Sequence, residues 1–272
     1  MNLHPQDFLL FVDVLRRESG LVLAPGQEYL LKSRLAPVAD RYGVDDLAGV
    51  AREIRMGSPQ VLRDVVEAMS THETSFFRDM LPFRQLQEKV LPALMRARDD
   101  KTLRIWSAGC ASGQEAYSVA MLLHDMGIAH EGWKYDILAT DISHQVLEKA
   151  KTASYTAFEA QRGVPVTTLL RHFNQADDMW AVKPHIRDAV KFRQLNLLEG
   201  AGHLGQFDLI LCRNVLIYFD AGTRLSVLSD LRASLKRDGV LMLGAAETPP
   251  AEAAGLRLLD GVMGGYVRPN AE

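Results

Sequence analysis

Cysteine is almost missing: Cys110 and Cys212 are the only two in 272 residues. Two such distant cysteines make neither a disulfide framework nor a zinc site, which excludes a small bridge-stapled scaffold. Long apolar runs are missing too. No stretch reaches the roughly 18 residues that a membrane-spanning helix needs, so no membrane insertion is expected. The segment from Met1 to Asp7 lacks a basic region followed by an apolar core, so no signal peptide is expected. Neither charge dominates. Lys and Arg total 31 against 34 Asp and Glu, a formal charge of −3 that lacks the basic excess of a nucleic-acid binder. The eight histidines show no metal-ligand spacing. His172 and His185 are expected to be surface or packing residues, and no metal is expected. These absences favour a cytoplasmic protein, expected as a monomer.

The chain is long enough for a catalytic domain plus a small helical one. Its first 70 residues carry helical periodicity. Phe8, Phe11, Val12 and Leu15 form one stripe, ended by Ser19-Gly20; Pro25-Gly26 is a turn. Leu31, Leu35, Val38 and Tyr42 form the next stripe, closed by Gly43, and Leu47, Val50, Ala51 and Ile54 a third, closed by Gly57. Ser58-Pro59 starts a fourth helix, with Ser as cap and Pro at the first helical position. Arg34, Arg41, Arg52 and Arg55 are balanced by acids and are expected on a solvated face. Residues 70 to 82 are irregular. A helix follows through Phe83, Leu86, Val90, Leu91 and Leu94, which Pro92 is expected to kink or restart.

From residue 102 short apolar runs alternate with helical patterns, the mark of a mostly parallel sheet covered by helices. Strands are predicted at Leu103–Ser107, Tyr135–Ala139, Val190–Leu195, Phe207–Cys212 and Val240–Leu243, with Tyr266-Val267 as a last edge strand. Helices are predicted at Gln114–Asp125, His144–Lys151 and Ala221–Lys236. About forty residues separate Ala150 from Val190, too many for an ordinary loop. This insertion holds a predicted helix (Val166–Phe173) and a short strand (Met179–Val182), and is expected to form a small subdomain at the sheet's edge.

The segment from Ile105 to Glu115 (Ile-Trp-Ser-Ala-Gly-Cys-Ala-Ser-Gly-Gln-Glu) follows the first strand and opens a helix. Open α/β sheets bind ligands there, and glycine lets a ligand approach the backbone. A tight turn with no ligand would look the same. The second strand ends at Asp141, which can accept from both ribose hydroxyls or simply cap the next helix. The loop lacks G-x-G-x-x-G, and Asp141 lies roughly 30 residues beyond Gly109 rather than the roughly 20 of dinucleotide binders. S-adenosylmethionine carries no phosphate and does not need that fingerprint; Glu115 is placed for its amino end. Asn196, after the third strand, can read the adenine edge or serve as a turn residue. Arg213, Asn214 and Tyr218 follow the fourth apolar strand at the same sheet edge, as site residues or as packing and solvated groups. Cys110 and Cys212 flank the predicted pocket as small apolar filler.

Four segments carry a family resemblance: Thr74–Asp79 (Thr-Ser-Phe-Phe-Arg-Asp), Trp106–Tyr117, Ala139–Ile142 (Ala-Thr-Asp-Ile) and Cys212–Asp220 (Cys-Arg-Asn-Val-Leu-Ile-Tyr-Phe-Asp). In order and spacing the chain resembles the chemotaxis receptor methyltransferases of the CheR family, over nearly its whole length. The resemblance implies an α/β Rossmann-like methyltransferase sheet with an N-terminal all-α domain (1–70), a connecting segment (71–98) and a methyltransferase domain (99–272) with an inserted β-subdomain (152–190). It implies methyl transfer from S-adenosylmethionine, leaving S-adenosylhomocysteine, to glutamate side chains on the cytoplasmic domain of methyl-accepting chemoreceptors. It places Arg78 and Tyr218 at the reaction centre, lined by Thr74 and Ser75. Ala108, Gly109 and Glu115 would hold the methionine part, Asp141 and Ile142 the ribose side, and Asn196 and Leu197 the adenine, with Arg213 and Asn214 completing the pocket. His72 stands where the family often has Asn, and Gln114 and Ala116 where Glu and Pro are frequent. Members that tether to a receptor's C-terminal pentapeptide tend to have glycines in a tight subdomain loop. None lies between Gly163 and Gly200, so a pentapeptide-independent enzyme is expected. A non-catalytic adaptor and a small-molecule methyltransferase are the competing readings. The presence of Arg78, Asp141 and Tyr218 opposes the first, and the helical domain and insertion oppose the second.

Overall fold

A computed structural model describes residues 3–24, 26–248 and 255–269. Pro25 of the expected Pro25-Gly26 turn lies outside them. The chain divides into two compact units, one of residues 1–71 with 218–223, the other of residues 72–217 with 224–272.

The first unit contains α1 (Pro5–Ser19), α2 (Glu28–Arg41), α3 (Leu47–Arg55) and α4 (Pro59–Met69). The predicted apolar stripes form its core, with Phe11, Leu15, Leu31, Leu35, Val50 and Val65 almost fully buried. Gly20 closes α1 in the left-handed region (φ 74°), its N–H bonded to the Arg16 carbonyl. Ser58 stands at the cap of α4 as expected, but its side chain makes no capping bond. Arg41, Arg52 and Arg55 are exposed, as expected of a solvated face, while Arg34 is half-buried, and three of the four are hydrogen-bonded. Arg41 and the Tyr42 hydroxyl both donate to buried Asp64 (2.8 and 2.9 Å), Arg55 pairs with Asp7 (2.6 Å), and Arg34 donates to the Met69 carbonyl (2.7 Å).

The second unit begins with α5 (Leu81–Gln85), a π-helical turn (Leu86–Val90) and α6 (Leu91–Arg96). Pro92 supplies the reason for the π turn: it has no N–H to continue the ladder, so the helix widens just before it. Then follow β1 (Thr102–Ala108), α7 (Gln114–Asp125), β2 (Lys134–Asp141), α8 (His144–Thr152), β3 (Ser154–Thr156), α9 (Ala157–Gln161), α10 (Val166–His172), β4 (Phe173–Ala176), β5 (Met179–Val182), α11 (Pro184–Arg187), β6 (Val190–Gln194), β7 (Phe207–Cys212), α12 (Ala221–Ala233), β8 (Leu235–Leu243), β9 (Arg257–Leu258) and β10 (Gly265–Val267).

The main sheet has the order β6-β2-β1-β7-β8-β10-β9. Its first five strands are parallel and its last two antiparallel to their neighbours. The order reverses between β1 and β7, which places the ligand crevice at the carboxyl ends of β1, β2 and β7. Strands β3, β5 and β4 form a separate antiparallel sheet within the insertion.

Several boundaries differ from the sequence expectation. α12 stops at Ala233 rather than Lys236, and β8 starts at Leu235 rather than Val240. The pairing of β8 with β7 slips between Phe207 and Leu209, so the polar residues Lys236–Asp238 lie in an irregular strand that apolar patterning does not mark. Phe173 ends no helix; it opens β4. β10 is not the sheet's edge, because the two-residue β9 pairs outside it.

Candidate active site

The turn between β1 and α7 is built from left-handed residues: Gly109 (φ 76°), Ala111 (φ 47°) and Gly113 (φ 91°). A Cβ on Gly109 would meet Val215 at 2.4 Å, so glycine is required there for both backbone and space. The Gly109 and Cys110 N–H groups donate to the Thr140 carbonyl (2.8 and 2.9 Å), holding the turn against the end of β2. The Tyr155 hydroxyl, from the inserted sheet, donates to the Ser112 carbonyl (2.7 Å) and braces its far side.

Asp141, buried at the end of β2, accepts from the Ala111 N–H at Oδ2 (2.8 Å) and from the Ser143 N–H at Oδ1 (3.0 Å). The helix-capping alternative belongs to another residue: Ser143 caps α8, its hydroxyl accepting from the Val146 N–H. Each Asp141 oxygen keeps a further lone pair for a ligand hydroxyl. His72 Nε2 stands 3.8 Å from Asp141 Oδ1, so this departure from the family pattern faces the Asp141 carboxylate.

Glu115 lies in the first turn of α7, buried, and accepts from the Ser107 hydroxyl (2.8 Å) and from Arg213 Nη1 (3.2 Å). Burial raises its pKa; Arg213 and Ser107 offset part of that rise. Arg213, immediately after β7, is not solvated. Its Nη2 donates to the Arg78 carbonyl (3.0 Å) and to Asp79 Oδ2 (2.9 Å), and its guanidinium carbon lies 5.6 Å from the centre of the Phe83 ring. One arginine thus ties the Phe-Phe-Arg segment to the carboxylate of the β1–α7 turn.

That segment is backbone-strained. Phe77 (φ 47°), Asp79 (φ 69°) and Met80 (φ 50°) are left-handed without being glycine. Phe76 and Phe77 hold it down. Phe76 packs edge-on against Tyr155 and Phe173, Phe77 against Phe83, and the Phe77 N–H donates to the Ser118 hydroxyl (2.9 Å). Ser75 is buried and Thr74 half-buried beside them. Arg78 is left half-buried. Among the described residues its guanidinium makes one hydrogen bond, Nη1 to the Glu73 carbonyl (3.0 Å).

Asn214 is left-handed (φ 59°). Its N–H and that of Gly244 donate to Glu247 Oε2 (2.7 and 2.8 Å), while the Leu216 and Ile217 N–H groups donate to Oε1 (2.7 and 3.3 Å). Glu247, 5% exposed, therefore organises the whole Asn214–Ile217 turn. Sequence reasoning missed it, since a carboxylate just beyond the end of β8 has no motif of its own. Ala108 is fully buried, and Ile142 and Leu197 are half-buried. Asn196 caps the short helical turn Leu197–Glu199, accepting from the Leu198 N–H (3.1 Å). Tyr218 begins the 218–223 segment that belongs to the helical unit, where its carbonyl accepts from the Val22 N–H (3.0 Å). Cys110 and Cys212 are buried, and burial pushes both thiols well above their ordinary value, so they stay protonated.

The donor set fits S-adenosylmethionine. Two buried carboxylates suit an ammonium group and a pair of hydroxyls. Arg213 Nε and Asn214 Oδ1 are buried polar atoms without a partner among the described residues, which a polar ligand would satisfy.

Comparison with known proteins agrees. The all-alpha domain of CheR methyltransferases matches residues 6–70, and their SAM binding domain matches residues 72–260. Chemotaxis protein methyltransferase 1 of Pseudomonas aeruginosa is 40% identical over 245 residues, covering 89% of each chain. Chemotaxis protein methyltransferase Cher2 of Pseudomonas putida is 39% identical (89% of this chain, 90% of the relative), and chemotaxis protein methyltransferase 1 of Vibrio cholerae 36% (91% of each). The chain is a member of the CheR methyltransferase family, with an S-adenosylmethionine-binding α/β domain following an all-α domain.

Proposed function

We propose that this chain transfers the methyl group of S-adenosylmethionine to glutamate side-chain carboxylates on the cytoplasmic domain of methyl-accepting chemoreceptors, forming methyl esters. The observation that carries the reading is the Arg213 bridge, which holds Arg78 and Asp79 to the cofactor-side carboxylate Glu115. The names of the relatives support the receptor as substrate.

S-adenosylmethionine supplies an activated methyl group on a cationic sulfonium. A glutamate side chain, with a reference pKa near ~4.3, is an anion at neutral pH, so the protein has no proton to remove. Its work is to bind, align and exclude water. In this reading Glu115 receives the amino end, with Ala108 and Gly109 as the adjoining wall. Asp141 receives the ribose hydroxyls beside Ile142, and Asn196 and Leu197 meet the adenine. Thr74, Ser75, Arg213 and Asn214 complete the pocket. Arg78, with spare guanidinium donors, orients the substrate carboxylate. Esterification removes that carboxylate's charge, which weakens the Arg78 contact and lets product leave. Tyr218 is assigned to the reaction centre on its place in the Arg-Asn-Val-Leu-Ile-Tyr-Phe motif.

The β4–β5 turn is Asp177-Asp178, with Asp177 left-handed (φ 53°) and no glycine, which supports a pentapeptide-independent enzyme. The test is incubation with methyl-labelled S-adenosylmethionine and a purified receptor cytoplasmic fragment, with and without its C-terminal pentapeptide. Base-labile label on the receptor in both cases is expected. Cofactor binding without base-labile receptor label would refute the proposal.

A further inference from the structure

Three histidines that no sequence spacing connects come together at one place in the second unit. His124 lies in the last turn of α7, His172 ends α10, and His185 lies in α11. One ring nitrogen from each lies within 4.8 Å of the other two. The ring centres of His124 and His185 are 4.6 Å apart, and those of His124 and His172 are 5.2 Å apart.

His172 is the decisive member. Its side chain is wholly buried, and its Nε2 meets Asp125 Oδ1 at 2.9 Å. Its Nδ1 is buried with no hydrogen-bond partner among the described residues. A carboxylate at Nε2 holds the proton there and leaves Nδ1 as a bare lone pair. A buried lone pair without a donor is costly, and here two further imidazoles stand beside it. This is the carboxylate–histidine arrangement that orients metal ligands and raises their basicity. The carboxyl end of α7, a 12-residue helix, adds partial negative charge at His124. Two nearby cations are already engaged, Arg171 with Asp125 (2.9 Å) and Lys183 with the Leu170 and Arg171 carbonyls.

We propose that His124, His172 and His185 form a binding site for a divalent transition metal, zinc foremost, with Asp125 orienting His172 and one position open to water. Three imidazoles with no thiolate or carboxylate ligand suit zinc, copper or nickel rather than magnesium or calcium. Zinc–nitrogen bonds of about 2.0–2.1 Å place ligand atoms roughly 3.4 Å apart, so the separations, at most 4.8 Å, must tighten by up to about 1.4 Å. The exposed His124 and His185 rings can supply this by rotamer adjustment. The metal would pin the inserted subdomain to α7, the helix whose other end carries Glu115.

The test uses the full chain without an affinity tag, stripped with a chelator and titrated with zinc by calorimetry, and with cobalt(II) read by its visible absorption. One metal per chain is expected, with a rise in the thermal unfolding midpoint. His124→Ala and His185→Ala, at exposed positions, are each expected to weaken binding by more than 100-fold with the far-UV circular dichroism unchanged. Asp125→Asn is expected to weaken it about 10–100-fold. His172→Ala is avoided because the residue is buried. Absence of zinc binding and of any midpoint shift at tenfold excess overturns the proposal. So does unchanged affinity in the His124→Ala/His185→Ala double variant.

Discussion

Glu247→Gln is a severe change that alters one heavy atom. The carboxylate accepts from four backbone N–H groups, two on each oxygen: Asn214 and Gly244 on Oε2, Leu216 and Ile217 on Oε1. Whichever oxygen becomes the amide NH2, two backbone N–H groups lose their acceptor and face a donor instead. Hydrogen bonds to a charged group contribute about 1.5–3 kcal/mol each, and two of them give about 3–6 kcal/mol. A domain is stable by only about 5–15 kcal/mol, so the loss takes a large part of the total. All three tryptophans, Trp106, Trp133 and Trp180, lie in the second unit and are buried. Urea unfolding followed by tryptophan fluorescence therefore reports that unit, free of the helical one. Glu247→Gln is expected to lower the urea midpoint strongly, and Glu247→Asp, which keeps the charge but shortens the reach, less. A loss below about 1 kcal/mol for Glu247→Gln would refute the idea that this carboxylate organises the turn.

Three other changes have definite outcomes. Arg213→Met leaves Glu115 buried without its counter-charge, so destabilisation of about 3–5 kcal/mol by the same fluorescence assay is expected. A loss of cofactor affinity by calorimetry should accompany it, and retained affinity would show that the Arg213 bridge does not shape the site. Asp141→Asn is expected to weaken S-adenosylmethionine binding while 2′- and 3′-deoxy analogues lose less, because the amide accepts hydroxyls more weakly than the carboxylate; equal losses would remove Asp141 from the ribose side. Asp238 is held below its ordinary value by its hydrogen bonds to Arg98. Its contribution to stability is thus present above the unfolded aspartate pKa, near ~3.9, and lost as pH falls through the lower folded value. Asp238→Asn should flatten the acid limb of the stability curve below about pH 4 and be less stable than the parent above it; parallel acid limbs would contradict the pairing.

Elements whose signal is local were determined by the sequence alone. α7, predicted at Gln114–Asp125, has those bounds because its apolar period and the glycine before it are contained in the segment itself. β7 likewise occupies Phe207–Cys212, a run that is apolar apart from Asp208 and buried throughout, as in a strand covered on both faces. The Gly109 turn, the carboxylates Glu115 and Asp141, and the family motifs were legible for the same reason: each is a short word in the chain. What the tertiary structure decided was partnership. Lys236–Asp238 is polar, so its place in β8 follows from pairing with β7 rather than from its own pattern. The left-handed Phe77, Asp79 and Met80 contradict local propensity and are held by Arg213, 134 positions from Asp79. Glu247 meets the Asn214 N–H from 33 positions away. His172 and His185 were expected to be surface or packing residues, and they share one spot with His124 because α7 and the insertion converge there. A hydrogen bond or ligand cluster needs atoms within a few ångströms, and the folded topology, not spacing along the chain, supplies that distance.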